Sequence, residues 1–292
     1  MMLRRFDPLK KRRRDVLGVP MAYVEHGKGD PIVFIHGNPT SSYLWRKVIP
    51  AVSEVGRCIA PDLIGMGDSA KVYQGPRTYT FLDHQAYLEA FLDGLGIEEN
   101  VTLVGHDWGG PLIFDWGRRH PGSVRAVAYM ETIVTPLTWA DWPEVARRIF
   151  EGLRSEAGEE MVLKKNVFVE RLLPASVLDP MPEAVLDIYR KPFREVGESR
   201  RPTLTWPREI PLEGEPANVK AIVEANERWL EGPEVPKFFI NAEPGSILVG
   251  RQREVCRRWA NQKEETVRGL HFVQEDSGEE IGVAIASWLD AL

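Results

Sequence analysis

The ten residues VTLVGHDWGG, at positions 101–110, restrict the fold of this chain more than any other stretch. Four residues that favour strands lead into Gly105, and two further glycines follow at 109 and 110. This order predicts a buried strand, a tight turn and the start of a helix, with Asp107 at the turn. A strained turn between a strand and a helix raises its central side chain above the sheet, so we expect Asp107 to face a pocket.

Strands and helices alternate along most of the chain. Continuous apolar runs predict a pair of strands about Gly18 within 15–25, and further strands at 31–36, 57–61, 100–105, 124–130, 237–241 and 264–267. Helical spacing predicts helices at 80–95, 108–119 and 279–292. The alternation indicates the α/β fold class, with a mainly parallel central sheet flanked by helices. Ligands of such sheets bind beyond the carboxyl ends of the strands.

The alternation stops between about residues 135 and 216. This section has a helical pattern and is rich in Trp, Phe, Pro and charged residues. We therefore expect one core domain formed by residues 1–134 and 217–292, with residues 135–216 inserted as a helical cap over the strand ends.

Composition limits the partners that this chain is expected to have. The 292 residues carry a net charge of −6, which gives no support for nucleic-acid binding. No apolar run approaches the ~18 residues of a membrane span, and the basic start lacks a secretory apolar segment, so we expect a cytoplasmic protein without a membrane partner. The basic run at 10–14 suits a solvated edge strand. Cys58 and Cys256 show no metal spacing, and we expect no metal, no other cofactor, and a monomer or weak homo-oligomer.

Three ionisable residues lie where a catalytic triad would need them. Asp107 is at the turn, Glu131 ends the next strand, and His271 lies between the last strand and the last helix. The order nucleophile, acid, histidine is that of α/β-hydrolases, in which a serine normally occupies the position of Asp107. Glu243, after a later strand, is the alternative acid.

The replacement of serine by aspartate favours a different reaction. A serine that attacked a saturated carbon would leave an ether, which water could not remove. A carboxylate forms an alkyl ester instead, and water activated by a histidine can open it. The sequence therefore predicts displacement at an sp3 carbon, with alkyl halides and epoxides as the two obvious substrates.

The available hydrogen-bond donors favour the halide. Trp108 offers an indole N–H and Asn38 an amide NH2, and these two donors could flank a leaving halide. Their backbone N–H groups lie at the two turns that form oxyanion holes. Epoxide opening needs an acid, usually a tyrosine pair, and the predicted cap contains one tyrosine, Tyr189.

The chain resembles the haloalkane dehalogenases of the α/β-hydrolase superfamily, in the subgroup with an Asp-His-Glu triad and an Asn-Trp halide site. The matching stretches extend from about residue 15 to the C-terminus and are HGNPTSSYLWR, APDLIGMGDS, LVGHDWGG, KNVFVERLLP, YRKPF, FFINAEPG and GLHFVQEDS. The resemblance implies Asp107 as nucleophile, His271 as base, Glu131 as the acid that orients it, and Asn38 with Trp108 as the halide pair. It also implies a haloalkane as substrate, a halide ion as product, and a pocket lined by Phe150, Phe168 and Pro207, with Ser176 and Ile247 near its entrance.

Other functions stay open at this point. Some coelenterazine-oxidising luciferases share this constellation, and light emission without halide release would indicate one of them. Epoxide hydrolysis is a further enzymatic alternative. A ligand receptor on a hydrolase scaffold would bind a compound without turnover, although the complete triad argues against it.

Overall fold

The strand that leads to Asp107 is the fifth of eight in the sheet of the computed structural model, which describes residues 8–142 and 144–292. The spatial order is β1-β2-β4-β3-β5-β6-β7-β8, with antiparallel pairing at β1–β2 and β2–β4 and parallel pairing from β4 onward. The strands are β1 (Lys11–Val16), β2 (Val19–His26), β3 (Pro31–Ile35), β4 (Arg57–Pro61), β5 (Val101–Asp107), β6 (Val124–Thr132), β7 (Lys237–Pro244) and β8 (Gln262–Gly269). The α/β fold class is confirmed.

Helices connect the strands and cover the sheet. The α-helices are α1 (Ile49–Val52), α2 (Phe81–Gly94), α3 (Gly109–Arg119), α4 (Glu144–Arg154), α5 (Leu173–Ala175), α6 (Glu183–Arg190), α7 (Arg201–Glu209), α8 (Ala217–Glu231), α9 (Gly250–Arg257) and α10 (Val273–Asp290). Wider π-helical turns occur at Glu159–Lys164 and Phe168–Leu172, and 3₁₀ turns at Ser42–Lys47, Lys191–Phe193 and Glu198–Arg200. Among the described residues, none of the helices is both long enough and apolar enough to cross a bilayer.

The core lies on both faces of the sheet because successive strand residues point in opposite directions. Val33 and Ile35 of β3 belong to the larger apolar cluster, whereas Ile32 and Phe34 belong to a second cluster that also contains side chains of α10. All seven residues of β5 are buried, as its continuous apolar run predicted.

The edge strand β1 carries the basic run, as expected. Arg12 and Arg13 are exposed, but Lys11 is not simply solvated, since its Nζ lies 2.6 Å from Asp62 Oδ2 and 2.9 Å from Asp68 Oδ2. These two carboxylates also hold the loop after β4, where Asp62 accepts from the backbone N–H groups of Ser42 and Asp68.

Helix α10 differs most from its predicted bounds. It begins at Val273, six residues before the predicted start, and its backbone is non-helical at Ser277, with φ −126° and ψ 32°. The segment QEDS at 274–277 is polar throughout, so its sequence gave no apolar spacing from which this first turn could be recognised.

Residues between β6 and α8 form α4 to α7 with the two π-helical turns. An isolated bridge pairs Leu137 with Leu212 near the two ends of this section. Five of its side chains form a small apolar cluster of their own, namely Leu153, Val162, Leu163, Phe168 and Leu204. The description of residues 135–216 as a cap domain stays an interpretation.

Candidate active site

The turn between β5 and α3 places Asp107 in a strained backbone conformation. Its φ is +51°, in the left-handed region that side chains with a Cβ rarely occupy. The turn is tight enough that a Cβ on Gly109 would lie 1.9 Å from the carbonyl oxygen of Ile35. A Cβ on Gly37 would lie 2.0 Å from Asp107 Oδ1. Both glycines are therefore needed for the aspartate to reach its position.

The carboxylate of Asp107 has one oxygen held and one oxygen directed at a histidine. Its Oδ1 accepts the backbone N–H of Asn38 at 2.7 Å, and its Oδ2 lies 3.4 Å from His271 Nε2. Burial alone would raise the pKa of this group, but hydrogen bonding and charge from His271 lower it, helped by the backbone N–H of Trp108. Asp107 is therefore an ionised carboxylate at neutral pH.

His271 lies between two carboxylates. Its Nδ1 is 3.5 Å from Glu131 Oε2, on the side of the ring opposite Asp107. Both ring contacts are longer than an ideal hydrogen bond, as is common when no substrate is bound. Burial lowers the pKa of His271, yet the hydrogen bonds and charges of Asp107 and Glu131 outweigh it and raise that pKa to about 9.

Glu131 is itself fixed by the loop after β7. It is fully buried, its φ is +41°, and its Oε2 accepts from the backbone N–H groups of Ser246 at 3.0 Å and Ile247 at 2.8 Å. The alternative acid, Glu243, has a side chain that is 61% exposed and pairs with Arg253 Nη1 at 3.3 Å. Of the two acids considered from the sequence, Glu131 is the one beside the histidine.

The two candidate halide donors, Asn38 and Trp108, are both in contact with helix α7. Asn38 Nδ2 donates to the carbonyl oxygen of Thr203 over 3.4 Å, which leaves its second N–H available. The Trp108 ring stacks on Trp206 with centroids 4.6 Å apart, and Trp206 stacks in turn on His84 at 4.2 Å. One helix therefore supports both side chains.

A cavity of about 700 Å³ lies over these groups. It is lined by residues from the strand ends and from the section between β6 and α8. The residues proposed from the sequence that line it are Asn38, Asp107, Trp108, Phe150, Phe168, Ser176, Pro207, Ile247 and His271. Glu131 is behind His271 and does not line the cavity. Among the described residues, no group of three His, Cys, Asp or Glu side chains could hold a metal ion.

Comparison with known proteins decides the family. The sequence matches the family model of the alpha/beta hydrolase fold over residues 30–178. It is 53% identical over 284 residues to a haloalkane dehalogenase of Sphingobium indicum (strain B90A), covering 97% of this chain and 96% of the relative. A haloalkane dehalogenase of Mycolicibacterium smegmatis is 49% identical over 279 residues, which cover 94% of this chain and 89% of that protein.

This chain belongs to the haloalkane dehalogenase family. Its fold agrees with a solved family structure, the haloalkane dehalogenase from Bradyrhizobium elkani USDA94, at a TM-score of 0.92 and 40% identity. The match covers 97% of this chain and 98% of the other. The haloalkane dehalogenase family consists of hydrolases that act on carbon–halide bonds.

Two further histidines near the site, His36 and His106, have structural contacts. His36 Nε2 accepts the backbone N–H of Leu63 at 2.9 Å, and burial lowers the pKa of His36 to about 4. His106 Nε2 donates to the carbonyl oxygen of His271 at 2.7 Å, and burial lowers its pKa to about 3. Both imidazoles are therefore neutral and brace the backbone of the site.

Much of the cavity wall was not predicted from the sequence. Ala146 and Ile149 line it beside Phe150 on α4, and Arg171, Leu172 and Ala175 line it beside Phe168. Their spacing of three and four residues places each group on one helix face. That spacing is visible in the sequence, but it does not show which face would meet the strand ends.

Proposed function

We propose that this protein hydrolyses haloalkanes to an alcohol, a halide ion and a proton through a covalent alkyl ester on Asp107. The proposal rests above all on one observation: an aspartate, not a serine, occupies the strained turn, with Oδ2 near His271 and the side chain lining the cavity. A carboxylate ester is the one product of attack on a saturated carbon that such a site can release with water.

In the first step, Asp107 Oδ2 attacks the carbon that carries the halogen. The new C–O bond forms as the C–halogen bond breaks, and the halide leaves with the bonding electron pair. The free N–H of Asn38 and the indole N–H of Trp108 are the donors that bind this halide in our proposal. Both residues line the cavity.

In the second step, His271 takes a proton from a water molecule as the water oxygen bonds to Cγ of Asp107. The Cγ–Oδ2 bond then breaks, Oδ2 leaves in the alcohol with the proton that His271 returns, and the carboxylic acid that remains releases a proton to solvent. The oxygen that gains negative charge is Oδ1, which the backbone N–H of Asn38 already holds at 2.7 Å. This donor needs no rearrangement when the charge develops, which is the arrangement that lowers a barrier most. Glu131 orients the ring and stabilises the imidazolium that forms.

The high pKa of His271 fits this order of events. In the resting enzyme, two carboxylates favour the charged imidazolium, which is a poor base. Ester formation removes the charge of Asp107, and that loss lowers the pKa of His271. The histidine therefore gives up its proton to solvent and becomes a base after the first step has taken place.

Epoxide opening has less support from the geometry. The single tyrosine of residues 135–216, Tyr189, is buried and donates its hydroxyl to Glu275 Oε1 at 2.6 Å. No tyrosine occurs among the described residues that line the cavity. A leaving epoxide oxygen would therefore lack the acid that it needs, whereas a halide needs only hydrogen-bond donors.

The test measures halide release from terminal bromo- and chloroalkanes of different lengths. We expect turnover by the wild type, none by Asp107→Ala, and release of one halide per enzyme by His271→Ala, followed by a stalled ester visible in the intact mass. Replacing a catalytic histidine typically slows turnover by about 10⁴-fold or more. His120→Ala is the matched control, since His120 lies at the end of α3 away from the cavity, and it should turn over normally. Normal turnover by His271→Ala would remove His271 from the mechanism.

A further inference from the structure

The loop that carries His271 is connected to the section between β6 and α8 on both sides of the histidine, directly at Phe272 and through Asp276 at Leu270. The backbone N–H of Phe272 donates to the carbonyl oxygen of Ser176 at 3.1 Å. The backbone N–H of Leu270 donates to Asp276 Oδ2 at 3.0 Å. The residue before the histidine and the residue after it therefore both have a fixed amide.

The second carboxylate oxygen of Asp276 holds the backbone of Leu178. Its Oδ1 accepts the backbone N–H of Leu178 at 2.9 Å, so one carboxylate joins Leu270 to a segment almost one hundred residues away. Ser176 and Leu270 both line the cavity. The segment 176–178 and the histidine loop are thus fastened to each other at the cavity wall.

The turn that contains Asp276 is separate from the rest of α10. The backbone leaves the helical conformation at Ser277, whose hydroxyl donates to the carbonyl oxygen of Arg268 at 2.7 Å. Within the same turn, Glu275 accepts two bonds of 2.6 Å from Arg46, and its Oε1 also accepts from Tyr189. The turn 273–276 is therefore braced by side chains of the sheet domain and of the section 135–216 together.

We infer that Asp276 is a positioning residue for His271, which couples the position of the general base to the segment 176–178. Asp276 touches neither the reacting atoms nor the histidine ring, and it acts through the backbone of Leu270 and Leu178. The inference rests on the proposed function, because it concerns the step in which His271 serves as base.

The two chemical steps depend on this carboxylate to different degrees. The nucleophile is held by the β5 backbone and by the backbone N–H of Asn38, which are not part of the histidine loop. The loop meets β5 at His106, which donates to the carbonyl oxygen of His271 at 2.7 Å. The base, by contrast, must keep Nε2 near Asp107 and Nδ1 near Glu131, and these contacts are already 3.4 and 3.5 Å long, at the outer limit of a hydrogen bond. A displacement of the loop therefore slows ester hydrolysis and leaves halide release almost unchanged.

Asp276→Asn tests this inference with minimal change of shape. Its amide can place an oxygen against only one of the two backbone N–H groups, so an NH2 must face the other. Asp179→Asn is the matched control, because Asp179 lies in the adjoining segment and its carboxylate pairs with Arg268 while 73% exposed. Rapid-quench halide release and the lifetime of the covalent ester by intact mass are measured on each, with a thermal melt.

We expect Asp276→Asn to release the first halide within about twofold of the wild-type rate and to lengthen the ester lifetime about tenfold, since small misplacements of a catalytic group cost up to ~10²-fold. Asp179→Asn should match the wild type in both. Asp276→Ser is measured in the same way if the Asn variant melts below the assay temperature. An unchanged ester lifetime in a folded variant, or equal slowing of both steps, overturns the inference. A wild type that releases no halide from any bromoalkane instead defeats the proposed function.

Discussion

The two walls of the cavity hold their side chains by different means. At the strand ends, Asp107 lines the cavity and Glu131 lies behind His271; both have positive φ and are fixed by backbone N–H groups and by glycines with little or no room for a Cβ. On the opposite wall, α4 and the turn at 168–172 present side chains at helical spacing, fixed by ordinary packing. A change of shape on the first wall alters backbone geometry, whereas a change on the second alters only the space available. The residues proposed for catalysis therefore lie at the strand ends, where a substitution is most disruptive.

Gly37→Ala should break this contrast most severely, because the added methyl would occupy the place of Asp107 Oδ1. A displacement of a catalytic group by about 1 Å can cost ~10²-fold in rate, and a Cβ at this position would lie only 2.0 Å from Oδ1. We expect the rate of the first halide release to fall by more than about 10²-fold. Gly122→Ala is the control, since a Cβ there meets nothing within 4 Å, and it should retain wild-type activity. A fully active Gly37→Ala enzyme would show that the turn between β5 and α3 can adjust more than its geometry indicates.

The dependence on pH should separate the two steps that meet at Asp107. Halide release needs the carboxylate ionised, and the lowered pKa of Asp107 keeps it so well into acid. Ester hydrolysis needs neutral His271, whose pKa of about 9 in the resting enzyme falls once the ester forms. Below that lower pKa, hydrolysis should slow about tenfold per pH unit.

Rapid-quench experiments between pH 5 and pH 9 check this expectation. The ester should accumulate at the acidic end while the first halide release stays constant. Identical pH profiles for the two steps would contradict the assignment of His271 as a base in the second step alone.

The ring of Trp206 on α7 stacks on Trp108, so a substitution of Trp206 should perturb the halide site less than a change at Gly37. Trp206→Leu removes the ring that supports Trp108 at 4.6 Å, and aromatic pairs of this kind contribute about 0.5–1.5 kcal/mol. We expect the first halide release to slow roughly two- to tenfold. Trp206→Phe preserves an aromatic face and should lose less. Equal losses in the two variants would show that the volume of Trp206 matters and its stacking does not.

Ile149→Ala should have the mildest effect on the chemistry. It enlarges the cavity from α4 without touching either carboxylate, so the ester lifetime should not change. The ratio of kcat/KM for long over short bromoalkanes should rise a few-fold, as expected for lost contact with one or two methylenes. A longer ester lifetime in this variant would indicate that the two walls are coupled at α4 as well.

Local patterns predicted the rigid wall better than the other one. Gly105, Asp107 and Gly109 are within five residues, so the turn could be read directly from the sequence. The choice of Glu131 over Glu243 came from the resemblance to the family and not from local pattern, because the loop 245–247 that turns its N–H groups towards Glu131 follows a different strand. The contact of Asp276 with Leu178 was equally invisible, since it joins residues that only the folded chain brings together. The spacing of residues around Phe150 and Phe168 shows that each group shares a helix face, but the sequence does not show that these faces turn towards the cavity.

The hydrogen bond from the Asn38 N–H to Asp107 Oδ1 also makes the two oxygens of the carboxylate distinguishable over successive turnovers. Oδ1 is held at 2.7 Å, so the carboxylate does not rotate between turnovers and Oδ2 is always the attacking oxygen. Hydrolysis at Cγ sends that oxygen out in the alcohol and replaces it with one from water. In water labelled with heavy oxygen, the first alcohol from each enzyme molecule should be unlabelled and every later one fully labelled. A carboxylate that flipped freely would instead blend the isotopes over several cycles, so the isotopic record of successive products reports how firmly one backbone hydrogen bond holds the nucleophile.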